Sequence, residues 1–434
     1  MSTQSFDQSL KAARSLHEEG QFPEAEAAYN TLLKTTPDNA ELLHLKAVLL
    51  FQKGRLEKAL PLAQKATRLA PDQHRYLNTL GLIQRNMRQP DAALISFQIA
   101  LTHNPDYGEA HANMALVYLD KADYTAAVGC FEKALALLPE NPEVLTNYGH
   151  ALRDGGKQEA AADVYRKAAE LDPENERYLL NVGAVEIMLD REEAALEAYE
   201  KVLKINPHEP TALHIVAGLK GDTTAAAPED YVASLFDVYA HDFDHHLASL
   251  QYQVPQMLGA RIPAIVAPKA KPGTWNVLDL GCGTGACGLQ FADHKKHMVG
   301  VDLAQKMLDK AEEHGIYDWF FKGSITEFFA QSNLTFDLTL AADVYVYIGD
   351  LTKCFSAISA ASSKGALYGF STELAHDNEP DYQLRTTGRY AHKDSYIKKL
   401  AAEHGFRVMT DKAITVRKDS KGEIPGKLYI LKKG

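Results

Sequence analysis

The sequence predicts two architectures in series: an all-α array of stacked helical repeats, then an α/β domain built on a largely parallel sheet. Two observations carry this expectation. Pro37, Pro71, Pro105, Pro139, Pro173 and Pro207 recur every 34 residues, a strict period of the kind that stacked helical units produce. Downstream, the apolar run Val277-Leu-Asp-Leu280 ends in the loop Gly281-Cys-Gly-Thr-Gly285. Beyond that loop, β-type runs alternate with helix-type segments, the pattern of βαβ units.

Upstream of each proline the same residue types return in phase. Ala25, Ala59, Ala93, Ala127, Ala161 and Ala195 form one column, and Ala13, Ala47, Gly81, Ala115, Gly149 and Gly183 form another. Tyr29, Phe97, Phe131, Tyr165 and Tyr199 form a third, interrupted by Ala63. Small residues at fixed positions let paired helices cross closely, and the aromatic fills the space beside them. The proline ends the second helix and sets the turn into the next repeat. Residues 208–219 read as a capping helix. With period and columns in agreement, residues 6–209 resemble the tetratricopeptide repeat in six copies, which implies a superhelix with a concave groove. The resemblance implies a protein or peptide partner in that groove. Asn78, Asn113, Asn147 and Asn181, in phase on the first helices, either clamp the backbone of an extended peptide or help to solvate the groove.

The chain therefore divides into a repeat array over 1–219, a linker over 220–228, and a second domain over 229–434. The linker reading rests on the small, polar stretch Gly221-Asp-Thr-Thr-Ala-Ala-Ala-Pro228. The next segment repeats Phe-Asp at Phe236-Asp237 and Phe243-Asp244, with Tyr239 between them. Helical spacing gives it one aromatic and one acidic face. His241, His245 and His246 lie among three aspartates, but no further ligand set follows, so a polar helix face is expected and no metal.

In the second domain, strands are expected at 275–280, 298–301, 319–322, 336–343, 366–370, 406–416 and 427–431, with helices at 286–293, 304–313 and 395–404. The glycine loop lets a nucleotide-like ligand approach backbone without Cβ obstruction. Asp279, just ahead of that loop, suits a positively charged or hydroxyl-bearing ligand and not a pyrophosphate, which points to S-adenosylmethionine more than to a dinucleotide. Asp302 follows 23 residues later, where a βαβ unit places a carboxylate to accept both ribose hydroxyls.

Residues 229–434 resemble class I S-adenosylmethionine-dependent methyltransferases. The whole chain, with Phe236-Asp-Val-Tyr-Ala240, Tyr347-Ile-Gly-Asp350 and Gly388-Arg-Tyr-Ala-His392, resembles a group of bacterial tetratricopeptide-repeat methyltransferases. The resemblance implies a Rossmann-like, seven-stranded sheet with an antiparallel end, and an N-terminal lid helix over the donor. The donor site would comprise Asp279, Gly281, Cys282, Gly283, Gly285, Asp302, Leu303, Ser324, Ile325 and Asp343, with Tyr239 reaching in from the lid. Many relatives carry an acid for the adenine amine where this chain has Ser324. Tyr345, Tyr390 and His392 are the candidates for catalysis, and Asp343, Tyr345 and Tyr347 are the first residues positioned to see the acceptor. No Asn/Asp-Pro-Pro-Tyr follows the fourth strand, which argues against transfer to amide or base amines. No Pro-Cys dipeptide is present to attack cytosine.

Composition narrows the partners. The net charge is −11. Residues 1–228 carry 23 Lys and Arg against 32 Asp and Glu, and residues 229–434 carry 23 against 25. Neither part has a basic patch suited to nucleic acid. No apolar run approaches the roughly 20 residues that span a bilayer, and the N-terminus lacks a signal-peptide layout. Cys130, Cys282, Cys287 and Cys354 form no C-x-x-C pair, as expected of reduced thiols in the cytoplasm. The expectation is methyl transfer to a protein or peptide recruited by the repeats. The alternatives are a small-molecule methyltransferase whose repeats dock partners, and a repeat scaffold with a non-catalytic cofactor-binding domain.

Overall fold

A computed structural model describes residues 3–240, 243–266, 272–419 and 422–434. The chain forms two compact units, Met1–Ala198 and Tyr199–Gly434. No helix among the described residues is long and apolar enough to cross a membrane.

Helix pairs build the first unit. They are α1 (Thr3–Glu18) with α2 (Phe22–Thr35), α3 (Ala40–Gln52) with α4 (Leu56–Leu69), and α5 (His74–Asn86) with α6 (Pro90–His103). Then come α7 (Gly108–Asp120) with α8 (Tyr124–Leu137), α9 (Pro142–Asp154) with α10 (Gln158–Leu171), and α11 (Glu176–Met188) with α12 (Glu192–Ile205). The unit boundary falls within α12. The alanine column is fully buried, each member at 0% exposure. The column containing Gly81 and Gly149 is where paired helices come closest. A Cβ at Gly81 would stand 2.6 Å from the Phe97 ring, and one at Gly149 would stand 2.4 Å from the Tyr165 ring. Neighbouring repeats also bond through the asparagine column, where Asn113 Nδ2 donates to Asn78 Oδ1 at 2.9 Å.

The second unit continues with α13 (Pro210–Leu219), α14 (Glu229–Tyr239), α15 (Phe243–Ser249) and α16 (Val254–Val266). Its strands are β1 (Trp275–Leu280), β2 (Lys295–Asp302), β3 (Trp319–Lys322), β4 (Phe336–Ala341), β5 (Ser362–Leu374), β6 (Tyr382–Leu384), β7 (Tyr390–His392), β8 (Phe406–Asp419) and β9 (Gly422–Lys433). Between them run α17 (Ala286–Leu289), α18 (Gln305–Glu312), α19 (Ile325–Gln331), α20 (Thr352–Ala360) and α21 (Asp394–Glu403).

Strands β3-β2-β1-β4-β5 lie parallel in that order. β9 adds antiparallel to β5, and β8 adds antiparallel to β9. These seven strands are the sheet expected from sequence. Two short strands extend it: the β6–β7 hairpin, in a segment where no strand was expected, attaches to the carboxyl end of β5 through Glu373↔Ala391 and Leu374↔His392. α17 is shorter than the helix expected at 286–293. Past Leu289 the chain tightens into turns in which Gln290 N–H meets Cys287 O and Phe291 N–H meets Gly288 O.

Alternate residues of the parallel strands face opposite layers. Leu278, Leu280, Val299, Val301 and Phe370 pack with α19, α20 and α21, while Val277, Met298, Leu338 and Leu340 pack with α16. Strand order reverses between β1 and β4, and at such a switch point a crevice opens beyond the carboxyl ends of the strands.

Candidate active site

A cavity of about 640 Å³ occupies that crevice. Its floor is the glycine loop after β1, the ends of β2 and β4, and the loop before α19. Gly281 sits at φ +58°, and a Cβ there would stand 2.6 Å from Val344 Cγ2. Gly283 adopts φ +54°, and its N–H donates to Asp302 Oδ2 at 2.9 Å. Ala304 N–H donates to Asp302 Oδ1, also at 2.9 Å. Burial raises the Asp302 carboxyl above its ordinary pKa, against the pull of these backbone donors. Backbone thus aims the carboxylate at the edge of β2, with the cavity before it.

The Phe-Asp repeat is resolved by the helices above this floor. Asp237 accepts from Lys306 N–H at 2.9 Å, next to the Asp302 corner, and Asp244 accepts from Thr284 Oγ1 of the glycine loop at 2.6 Å. The two phenylalanines face the cavity. Phe236 packs edge-on to Phe243 at 5.8 Å and to Tyr347 at 5.5 Å. Asp237 therefore ties the lid to the first turn of α18 and Asp244 ties it to the glycine loop, while the aromatics form its underside.

A further wall comes from residues 223–227. Ala225 O accepts from Gly349 N–H and Asp350 N–H at 2.9 and 2.8 Å, and Ala227 N–H donates to Tyr347 O at 2.9 Å. Thr223 Oγ1 accepts from Gln383 Nε2 at 2.9 Å. This strap, read from sequence as part of a linker, contributes Ala225, Ala226 and Ala227 to the cavity. α13 bonds the β6–β7 hairpin turn from outside the cavity: His214 Nε2–H donates to Gly388 O at 2.8 Å.

Beyond the ends of β4 and β5 lies a charged cluster. Arg389 donates from Nη2 to Asp343 Oδ2 at 2.8 Å, from Nε to Glu373 Oε1 at 2.9 Å and from Nη1 to Tyr347 Oη at 3.1 Å. Arg417, from the β8–β9 hairpin, meets Glu373 Oε1 through Nη2 at 2.8 Å. Burial works against the Glu373 carboxylate, but Arg389 and Arg417 outweigh it and hold its pKa below the usual value. Asp343 adopts φ +59°, with its N–H on Ser371 Oγ at 3.0 Å. A non-glycine residue in that region marks a strained position, often a functional one.

Of the residues expected at the donor site, Gly281, Cys282, Gly283, Asp302, Leu303, Ser324, Ile325 and Asp343 line the cavity together. Asp279 and Gly285 are not in its wall. Asp279 is buried beneath the loop, where Tyr317 Oη donates to its Oδ2 at 2.7 Å. The Ser324 N–H and hydroxyl are engaged in a capping box with Glu327. The Tyr239 side chain lies outside the described residues, as do His241 and the His246 side chain.

The catalytic candidates point elsewhere. Tyr345 is buried in the core, its hydroxyl bonded to that of Tyr368. Tyr390 is buried with its hydroxyl 2.5 Å from Thr224 Oγ1. His392 is fully buried, its Nε2–H shared between Ile348 O and Gly349 O at 3.0 and 3.1 Å. Burial pushes its pKa down to about 4, so the ring is neutral and fixes the loop after β4. Tyr252, Arg389 and Arg417, by contrast, line the cavity. Nothing local in the sequence marks Tyr252 or Arg417. Arg389 had one signal, its place in Gly388-Arg-Tyr-Ala-His392.

Comparison with known proteins agrees with this geometry. Residues 277–365 match a family model described as a methyltransferase domain, and residues 10–74, 78–142, 112–176 and 149–210 match one described as a tetratricopeptide repeat. The 18S rRNA (guanine-N(7))-methyltransferase of Bos taurus is 39% identical over 56 residues, 13% of this chain and 19% of that protein. The ubiquinone biosynthesis O-methyltransferase of Hahella chejuensis is 28% identical over 116 residues, 26% of this chain and 48% of that protein. The chain thus spans less than half the length of either curated relative. Among solved structures, that of Pseudomonas aeruginosa pilF is similar to 49% of this chain, over 97% of its own, with 19% identity and a TM-score of 0.44. The chain carries tetratricopeptide repeats followed by a methyltransferase domain of Rossmann-like fold, and the matches support methyl transfer.

Proposed function

We propose that the methyltransferase domain behind these repeats takes its methyl group from S-adenosylmethionine and passes it to an acceptor held at the β4–β5 end of the cavity. One observation carries the donor reading: Asp302, steadied by two backbone N–H groups, shares one cavity with a glycine loop that has no Cβ atoms in the way. Its carboxylate suits the two ribose hydroxyls. When bound, the donor supplies a sulfonium methyl whose leaving group departs as a neutral thioether and needs no acid. Alignment is then the main task left to the protein. The lid acids tie down the glycine loop and the first turn of α18, Phe236, Phe243 and Tyr347 exclude water, and the Arg389 cluster faces the acceptor side.

Calorimetry with S-adenosylmethionine tests the donor site. Wild-type protein should bind, and Asp302→Ala should bind at least about tenfold more weakly, since hydrogen bonds to a charged group contribute roughly 1.5–3 kcal/mol. No binding by wild type, or equal binding by both, would overturn the assignment.

The acceptor remains a choice between two classes. Tetratricopeptide repeats serve protein–protein interaction, which supports a protein or peptide acceptor brought in by the array. The strap and lid that wall the cavity support the second reading, a small acceptor with the repeats docking a partner. Transfer of labelled methyl into a cell extract separates them: label in protein supports the first, label confined to small molecules the second. The names of the two curated relatives do not choose an acceptor atom, since one methylates a ring nitrogen and the other an oxygen.

A further inference from the structure

The charged cluster leaves two atoms unfinished. Asp343 Oδ1 and Arg417 Nη1 are buried and have no hydrogen-bond partner. They stand 3.9 Å apart, in side chains that both line the cavity, which is too far for a direct hydrogen bond. Both groups are ion-paired, Asp343 with Arg389 and Arg417 with Glu373, but a buried polar atom left without a hydrogen bond is costly, and a small rotation would bring these two together. Bonds on each side resist that rotation. Asp343 is held by Ser371 through its N–H and by Arg389 through Oδ2, while Arg417 is tethered to Glu373. The gap is built into the site.

Its occupant must accept a hydrogen bond from the guanidinium and donate one to the carboxylate. A carboxylate ligand has no proton for Asp343 and would face its charge. A neutral amine engaged by Arg417 would have no lone pair left to attack a methyl group. A thiol is a weak partner in both directions. A hydroxyl oxygen satisfies both atoms and keeps a second lone pair for attack.

Resting on the methyl-transfer reading above, we propose that the acceptor is a hydroxyl group, seated between Asp343 Oδ1 and Arg417 Nη1 and methylated on oxygen. An oxygen about 2.8 Å from each atom, with a near-tetrahedral angle between its two hydrogen bonds, has the pair part by roughly half an ångström. In the reaction the hydroxyl oxygen bonds to the methyl carbon as the carbon–sulfur bond breaks, its electron pair going to sulfur. The hydroxyl proton passes to Asp343 and from there to solvent. Asp343 is the catalytic residue in this step and Arg417 orients the oxygen.

The test incubates the full-length protein with S-adenosylmethionine tritiated in its methyl group and a cell extract that supplies both small molecules and proteins, then identifies the linkage formed. The expected product is an ether. It keeps its label in alkali and releases volatile methyl iodide in hot hydriodic acid. Label lost to alkali as methanol marks an ester, and label resistant to both treatments marks methylation on nitrogen or carbon; either overturns the proposal. Asp343→Asn, a residue also suited to left-handed backbone, should lower transfer roughly 100-fold or more while donor affinity stays within about threefold. Arg417→Met should lower kcat/KM about tenfold or more, and Arg417→Lys, which keeps a donor, should recover part of it. Undiminished transfer in Asp343→Asn would also overturn the proposal. Failure of wild-type protein to bind the donor, or to label anything with the donor bound, would instead overturn the methyl-transfer reading, and this inference with it.

Discussion

At one end of the cavity the chain presents backbone, and at the other it presents side chains. The end proposed for the donor is made by the glycine loop, the β2 corner and the turn before α19, all within residues 281–325, and its one central carboxylate is itself positioned by N–H groups. The end proposed for the acceptor gathers Asp343, Glu373, Arg389 and Arg417 from four separate elements and adds a wall from residues 223–227. A ligand present in every turnover can be met by a compact local motif. A particular acceptor must be met by groups from many places, each adjustable alone. The two ends should therefore fail separately when altered, which gives the comparison its tests.

The largest effect is expected from deleting residues 1–228. Every glycine-loop residue would survive, but the strap that bonds Tyr347, Gly349 and Asp350 would be gone, and the buried Tyr390 and Leu384 would lose their cover. Methyl transfer should fall by at least about 100-fold, the scale attached to misplaced reacting groups. Undiminished transfer would show that the acceptor end does not depend on the strap. A cut that separates a protein acceptor from a small one must therefore leave α13 and the strap in place.

Next in size is Arg389→Met, which leaves the Asp343 and Glu373 carboxylates buried beside one guanidinium instead of two. Breaking a buried ion pair costs about 3–5 kcal/mol, so urea unfolding should shift by that order and transfer should collapse. Donor affinity of the folded protein should stay within about threefold. Asp302→Ala should do the reverse, weakening the donor at a smaller cost in stability, about 1–3 kcal/mol for the backbone N–H groups that lose their acceptor. If both variants lost donor affinity alike, the division of the cavity would be wrong.

That division also explains what could be read in advance. The glycine-loop end of the cavity, proposed for the donor, was legible as structure because a strand, a glycine turn and an acid at βαβ spacing are local features, and the repeats were legible because their close crossings recur every 34 residues. The acceptor end was not. Tyr345 and Tyr347 are two residues apart in one short turn, yet the first packs into the core beside Tyr368 and the second faces the cavity. Tyr390 and His392 carry reactive groups, but pairing of β7 with β5 and β6 turns them inward, and the adjacent Arg389 reaches the site. Arg417 arrives through the β8–β9 ladder, a long-range register that no local pattern announces. Asp279 misled differently: its spacing ahead of the glycines suggested a ligand contact, while its bond to Tyr317 makes it a support beneath the loop.

A smaller effect should mark the repeat array. Gly149→Ala places a methyl 2.4 Å from the Tyr165 ring, an overpacking that costs about 1–3 kcal/mol. Thermal unfolding should register that loss within Met1–Ala198, while donor affinity in calorimetry is unchanged. A matching fall in donor affinity would mean that stability of the array is coupled to the donor end.

The smallest effect concerns the support under the glycine loop. Burial raises the Asp279 carboxyl to about 7 from an ordinary 3.8, against the bonds from Tyr317 and Gly288 that favour its ionised form. The folded protein therefore keeps this proton over a range in which the unfolded chain has released it. The resulting stabilisation is complete below pH 3.8, falls as pH rises, and is gone above about pH 7. Asp279→Asn removes the titration with little change in shape. His44 and His392, both pushed down to about 4 by burial, favour folding as pH rises, but they do so equally in both proteins and cancel in the difference. Wild type minus variant should thus decline between pH 5.5 and 7.5, by at most about 1.4 kcal/mol per pH unit. Donor affinity should hold constant, because the carboxyl does not line the cavity. A difference that stayed flat would mean Asp279 is ionised in the fold, and a donor affinity that followed its titration would return it to the donor site.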